Sequence, residues 1–131
     1  METSLECFSK KGYRGTSIQY IANKAKISKG NLYNYFESKE QLLEKVLRRG
    51  LDRMMQSFKV DELVIITETD FENAIYANFE MIKSNRNFWA LYTNLVTQSS
   101  TQKVINRIFS PFLEEFSKIF QPYFGLHQHQ V

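Results

Sequence analysis

The chain is 131 residues long, the size of one ordinary domain or of a small module sharing a core with a larger one. Its 43% hydrophobic and 24% charged residues exclude a disordered polymer, and no apolar run approaches the roughly 18 residues needed to cross a bilayer. The formal net charge of +3 conceals a division near Gly50: residues 1–50 hold ten Lys+Arg against five Asp+Glu, while residues 51–131 hold seven against nine. Aromatic residues divide the other way, six before that point and thirteen after it. One cysteine, Cys7, excludes an intrachain disulfide and a Cys-based zinc site and fits the reducing cytoplasm. Met1-Glu2-Thr3-Ser4 has neither the basic flank nor the apolar core of an export signal.

Helical spacing dominates the chain, and only seven Gly and Pro leave little material for turn-rich β structure. Leu5 and Phe8 predict a short helix over 3–11, stopped at Lys11-Gly12, where the glycine takes a left-handed conformation. Thr16-Ser17-Ile18-Gln19 reads as a capping box with Thr16 at the N-cap, opening a helix over 17–24 that faces Ile18, Ile21, Ala22 and Ala25 inward. Ser28 caps a further helix to Tyr35 that buries Ile27, Leu32 and Phe36. Ser38-Lys39-Glu40-Gln41 is a second capping box. It starts the longest helix, to about Ser57, with Leu42, Leu43, Val46, Leu47 and Leu51 on one face.

Residues 59–70, with Leu63-Val64-Ile65-Ile66, read as an apolar linker. A helix over 70–84 presents Phe71, Ala74, Ile75, Phe79 and Ile82, and another over 87–98 presents Phe88, Leu91, Tyr92 and Leu95. In the apolar segment 102–124, Pro111 either kinks a helix or occupies the first position of a new one capped by Ser110. The fold class is all-α.

Thr16 to Phe36 has the outline of a helix-turn-helix, whose second helix enters the DNA major groove. That helix carries Lys29, Gly30, Asn31, Tyr33, Asn34 and Tyr35. Asn pairs bidentately with adenine, Lys reaches guanine or phosphate, and Gly30 permits close backbone approach. Lys10, Lys11, Arg14, Lys24, Lys26 and Lys39 add attraction independent of sequence. By spacing alone, lysines on a solvated helix face weigh as heavily as DNA contacts.

The run Leu5-Glu6-Cys7-Phe8, Gly12-Tyr13-Arg14-Gly15-Thr16-Ser17-Ile18, Ile21-Ala22, Ala25, Ser28-Lys29-Gly30-Asn31-Leu32-Tyr33-Asn34-Tyr35-Phe36, Ser38-Lys39-Glu40 and Leu42-Leu43 resembles the DNA-binding domain of TetR-family transcriptional regulators. The resemblance implies a helix-turn-helix three-helix module over 1–47, joined by a long helix to a helical bundle for effector binding and dimerisation over 48–131. It implies phosphate contacts from Thr16, Ser17 and Lys39, and a recognition helix opened by Ser28, Lys29, Gly30 and Asn31. Asn31 and Asn34 would read bases, with Tyr35 on the backbone and Tyr33 facing another way. Lys26 stands where the family usually has a turn glycine. By the same resemblance the chain reads as shortened at both ends, with four residues ahead of Leu5 and little after Gly125.

In such a family the second module binds a small effector. Phe88, Trp89, Tyr92, Phe109, Phe112 and Phe116, with Phe71 and Phe79, are residues from which an apolar cavity could be built, although aromatic stripes at helical spacing more often fill a core. The resemblance thus implies a repressor released from a palindromic operator by a small apolar effector, acting as a homodimer on double-stranded DNA without a membrane or cofactor. An alternative is a TetR-like helical module acting through protein–protein association. No nucleophile–base pair, phosphate loop or metal-ligand spacing suggests an enzyme. His127 and His129 read as parts of a polar tail.

Overall fold

The computed structural model describes residues 1–57 and 67–125, the side chains of 116 and 119–125 excepted. Most of the expected linker, with Leu63–Ile66, and the His127–Gln130 tail lie outside the described residues. Among the described residues the chain is all-α: α1 Glu2–Gly15, α2 Ile18–Ala25, α3 Lys29–Tyr33, α4 Lys39–Ser57, α5 Glu68–Ser84, α6 Arg86–Val96 and α7 Gln102–Gly125. A short 3-10 turn, Ser99–Thr101, leads into α7. No helix among them is long and apolar enough to cross a membrane.

Local chemistry sets most of the boundaries. Gly12 interrupts α1 with φ 73° and ψ 164°, a backbone region open in practice only to glycine, and one more helical turn follows it. Ser17, rather than Thr16, caps α2 by accepting from the Tyr20 N–H, while Gln19 donates to Asn23 instead of closing a box. Lys26 ends α2 in the left-handed region at φ 57° and ψ 39°, and the Ile27 N–H then donates to the Ala22 carbonyl. A lysine held there costs about 1–2 kcal/mol that a glycine would not. Ile27, expected inside, is exposed. Ser38 accepts from the Gln41 N–H, but the Gln41 side chain answers Glu37 rather than Ser38. Thr67 and Asp70 close a full capping box at the start of α5. Pro111 starts no new helix: α7 runs through it without interruption.

Both halves share one core, formed by Phe8, Ile18, Ile21 and Leu32 with Leu42, Leu43, Leu47, Met54, Phe88, Leu91, Leu95, Ile105 and Phe109. α1 packs chiefly on α6, so the first half is seated on the second by its own first helix. α4 packs on α1 and meets α7. Arg107 of α7 reaches Glu44 at 2.7 Å and Glu40 at 3.4 Å, and Arg48 also holds Glu44 at 2.9 Å. These bonds hold the Glu44 carboxyl below its ordinary value, the Arg48 hydrogen bond contributing most. α5 buries no residue; Phe71, Ile75, Phe79 and Ile82, on the apolar face expected of it, are exposed.

The tightest point in the core is Gly50 on α4. A Cβ added there would lie 3.2 Å from Cγ of Phe88 and overlap the Cδ2–Cε2 edge of the ring, which is only 1% exposed. In an exposed helix, Gly→Ala gains about 1 kcal/mol. Here overpacking opposes it with about 1–3 kcal/mol or more. Gly50→Ala is therefore expected to lower unfolding free energy by about 1–2 kcal/mol in urea denaturation, and Phe88→Leu in the same chain to recover part of that loss. A stabilised Gly50→Ala would mean that the ring can yield.

Candidate nucleic-acid interface

α3 is short and held by a single buried side chain, Leu32, which is 4% exposed. Ser28 caps it, its hydroxyl accepting from the Asn31 N–H at 3.0 Å. Every other residue from Ser28 to Tyr35 is exposed: Lys29, Gly30, Asn31, Tyr33, Asn34 and Tyr35 all reach solvent. A Cβ built on Gly30 would meet nothing within 4 Å, so the first turn is clear for close approach by a ligand backbone. Lys29 Nζ stands 6.0 Å from the Tyr33 ring centroid, at the edge of cation–π range. Tyr35 is 69% exposed and has its ring 6.5 Å from Phe36, which is half-buried.

The two residues expected at the start of α2 differ in kind. Ser17 is exposed and caps the helix. Thr16 is 1% exposed, and its hydroxyl is directed at the Gly12 carbonyl at 2.7 Å and the Cys7 carbonyl at 3.1 Å. Its hydroxyl therefore fastens α2 to the end of α1 and does not face solvent. Cys7 beside it is buried, and burial pushes its thiol up.

Lys39, at the first residue of α4, is half-buried with its Nζ 4.3 Å over the Tyr13 ring. Burial holds its ammonium below the ordinary lysine value. Tyr13 is a residue that sequence reasoning missed. It lies 26 positions away, and only the seating of α1 against α4 brings the ring to the amine. Burial, followed by the nearby Glu40 carboxylate, pushes the Tyr13 phenol up. A second such pair, Lys11 over Tyr20 at 3.8 Å, fixes another cation of this half. Of the remaining basic residues, Lys10 pairs with Glu6 and Arg14 donates to Ser100 at 3.0 Å.

The aromatic residues expected to line a cavity pack on one another instead. Tyr92 and Phe109 have ring centroids 4.6 Å apart, Trp89 and Tyr92 5.8 Å, Phe88 and Phe109 6.3 Å, and Phe109 and Phe112 6.4 Å. Phe88 and Phe109 are buried core, and the side chain of Phe116 lies outside the described residues. Phe71 and Phe79 are on the exposed face of α5, away from any such cluster. Phe112 does border an open cleft of about 360 Å³ between α4 and α7, with Leu51, Met55, Ile108 and Pro111 as its apolar walls. Among the described residues no group of His, Cys, Asp and Glu could hold a metal ion.

The profile of bacterial regulatory proteins, tetR family, matches residues 1–46. The uncharacterized HTH-type transcriptional regulator YuxN of Bacillus subtilis (strain 168) is 51% identical over 53 residues, 40% of this chain and 18% of that protein. The HTH-type transcriptional repressor KstR2 of Mycobacterium tuberculosis (strain ATCC 25618 / H37Rv) is 26% identical over 121 residues, 90% of this chain and 57% of that protein. The chain thus spans less than two thirds of the length of these relatives. A solved Clostridium perfringens protein, proposed to regulate fatty acid metabolism, superposes with a TM-score of 0.76 at 23% identity, over 99% of this chain and 72% of that one. That likeness shows the fold.

The sign of the Lys39 shift has a consequence for pH. Because the folded chain holds this ammonium less firmly than the unfolded chain does, Lys39 penalises folding below its folded pKa. The penalty disappears as pH rises from there towards 10.5. Tyr13→Ser, which opens the amine to water, is expected to bring the Lys39 pKa up towards 10.5 in an NMR titration of the side-chain nitrogen. An unchanged value would separate Tyr13 from the shift.

Proposed function

We propose that this chain belongs to the tetR family of bacterial regulatory proteins, whose profile matches its first 46 residues, and that it is a DNA-binding transcriptional repressor of the cytoplasm, a homodimer that a small apolar effector releases from a palindromic operator. The observation that carries the reading is α3, which is anchored by Leu32 alone and otherwise presents its polar and aromatic side chains outward. A groove-reading helix needs that arrangement, with one fixed apolar side and a free polar one. Asn31 and Asn34 read base edges, and Gly30 lets the backbone come close. Ser17, Ser28, Lys29, Tyr33, Tyr35 and Lys39 contact sugar–phosphate, and Thr16 serves by locking the turn that aims them. The description of KstR2 as a repressor supports the direction of control.

The α4–α7 cleft is where an apolar effector fits best. Its walls include Phe112, and it lies beside the Arg107–Glu44 clasp on the helix whose first residue is Lys39. An effector wedged there favours a state in which α4, and Lys39 with it, no longer matches the operator spacing. Two recognition helices about 34 Å apart are needed for paired half-sites, which calls for a dimer. The uncovered stripe Phe71, Ile75, Phe79 and Ile82 supplies apolar surface that a second copy would take out of water.

Duplexes enriched from a random pool by the full chain test the DNA reading. Asn31→Ala is expected to relax base preference at one position by about 1–3 kcal/mol, whereas Lys39→Ala weakens all duplexes alike and lowers the salt slope by about one. No enriched duplex, or two variants that bind as the parent does, would leave the association reading in place. Light scattering is expected to give twice the chain mass, and a monomer at the DNA-binding concentration would overturn the dimer.

A further inference from the structure

A second cleft, of about 250 Å³, lies where the start of α1, the second half of α4 and the α5–α6 corner meet. Cations dominate its border, whereas the α4–α7 cleft sets Arg48 against Asp52 and Glu115 around an apolar wall. Four cations, Arg49, Arg53, Lys83 and Arg86, border it against one lining carboxylate, Glu2. Arg53 is occupied by Glu2 at 2.6 Å, and Lys83 by Glu80 at 2.8 Å on an exposed surface. The side chains of Arg49 and Arg86 have no ion pair or hydrogen bond among the described residues. The first turn of α6 opens on the same space. Asn85 turns its amide back to the Met81 carbonyl, so the leading N–H groups of α6 carry no side-chain cap. Leu5 and Val46 give the cleft an apolar wall.

We propose that this cleft binds a small organic oxyanion, a phosphate or carboxylate borne on a short apolar body. Guanidinium groups engage both oxyanions through parallel hydrogen bonds, and uncapped helix N–H groups add donors of the same sign. Leu5 and Val46 favour a ligand with a hydrocarbon portion over a bare inorganic ion. At roughly 30 Å³ for each water-sized unit, the volume suits a body of about eight non-hydrogen atoms. Arg49 lies ten residues along α4 from Lys39, about 15 Å up the helix axis. The cleft is therefore remote from the candidate DNA interface, and the proposal stands whether or not the chain binds DNA.

Hexanoate and butyl phosphate are the probes, with hexanamide as the neutral control. At about ten times the dissociation constant, mass action raises the melting temperature by roughly 4 °C. Both anions are expected to do so and hexanamide is not. The shift should vanish in Arg49→Gln/Arg86→Gln, whose two side chains are exposed. Amide NMR of the unaltered chain locates the ligand: changes are expected at Gly50, Asn87 and Phe88. Stabilisation by hexanamide, an undiminished shift in the double variant, or changes confined to 28–39 or spread over the basic surface would each overturn the site. A carboxylate-only or phosphate-only response would narrow its ligand class.

Discussion

The ring of Phe88 occupies the space that a side chain at position 50 would fill, so a side chain of α6 rests directly on the backbone of α4. Three relations depend on that contact. α6 is the main support of α1, α4 is the element common to both halves, and the ring of Phe88 continues into Phe109 on α7. A fully buried phenylalanine contributes about 2–3 kcal/mol by leaving water. Its larger effect is geometric. With the Phe88 ring seated on α4, the packing of α1 on α6 places the first half against the bundle.

The hydroxyl caps show what a sequence carries on its own. Ser28 and Ser38 act over three residues of chain, so a local pattern identifies them, and the structure agrees. Thr16 and Ser17 mark the limit. Both are good caps, and the Gln at 19 favoured Thr16, but the choice was made by carbonyls of α1, up to nine residues upstream. Tyr13 beneath Lys39 was out of reach for the same reason, because nothing local couples residues 26 apart. The breaks at Gly12 and Lys26 were legible, although Gly12 interrupts α1 and only Lys26 ends its helix.

Apolar periodicity was a good guide to helices and a poorer one to what they face. The stripe on α4 is buried as its spacing suggests, while the equally regular stripe on α5 lies in solvent. Periodicity reports that a face is apolar; whether another element covers it is a property of the assembly. The aromatic cluster repeats the point with volume in place of exposure. Spacing placed Trp89, Tyr92 and Phe109 on neighbouring surfaces, but ring centroids 4.6 to 5.8 Å apart leave the cluster filled, a difference that no pattern of residue types encodes.

The excess positive charge of the first fifty residues is also less uniform than its sum. Glu6, Glu2 and Glu44 engage Lys10, Arg53 and Arg48, and Arg107 brings a cation from the other half onto the Glu40–Glu44 edge. Lys39 remains at the end of α4, on a ring instead of a carboxylate, and so keeps its full charge for an outside anion. Its position makes α4 a lever. From Gly50 down to Lys39 the helix runs eleven residues, about 16 Å. If Phe88 acts as the pivot, a tilt of about 10° carries Lys39 by about 3 Å, the length of a hydrogen bond. On the proposed function, an effector between α4 and α7 would not have to unfold anything to disengage that end, because packing against the Phe88 ring at Gly50 would turn a small tilt into a lost contact.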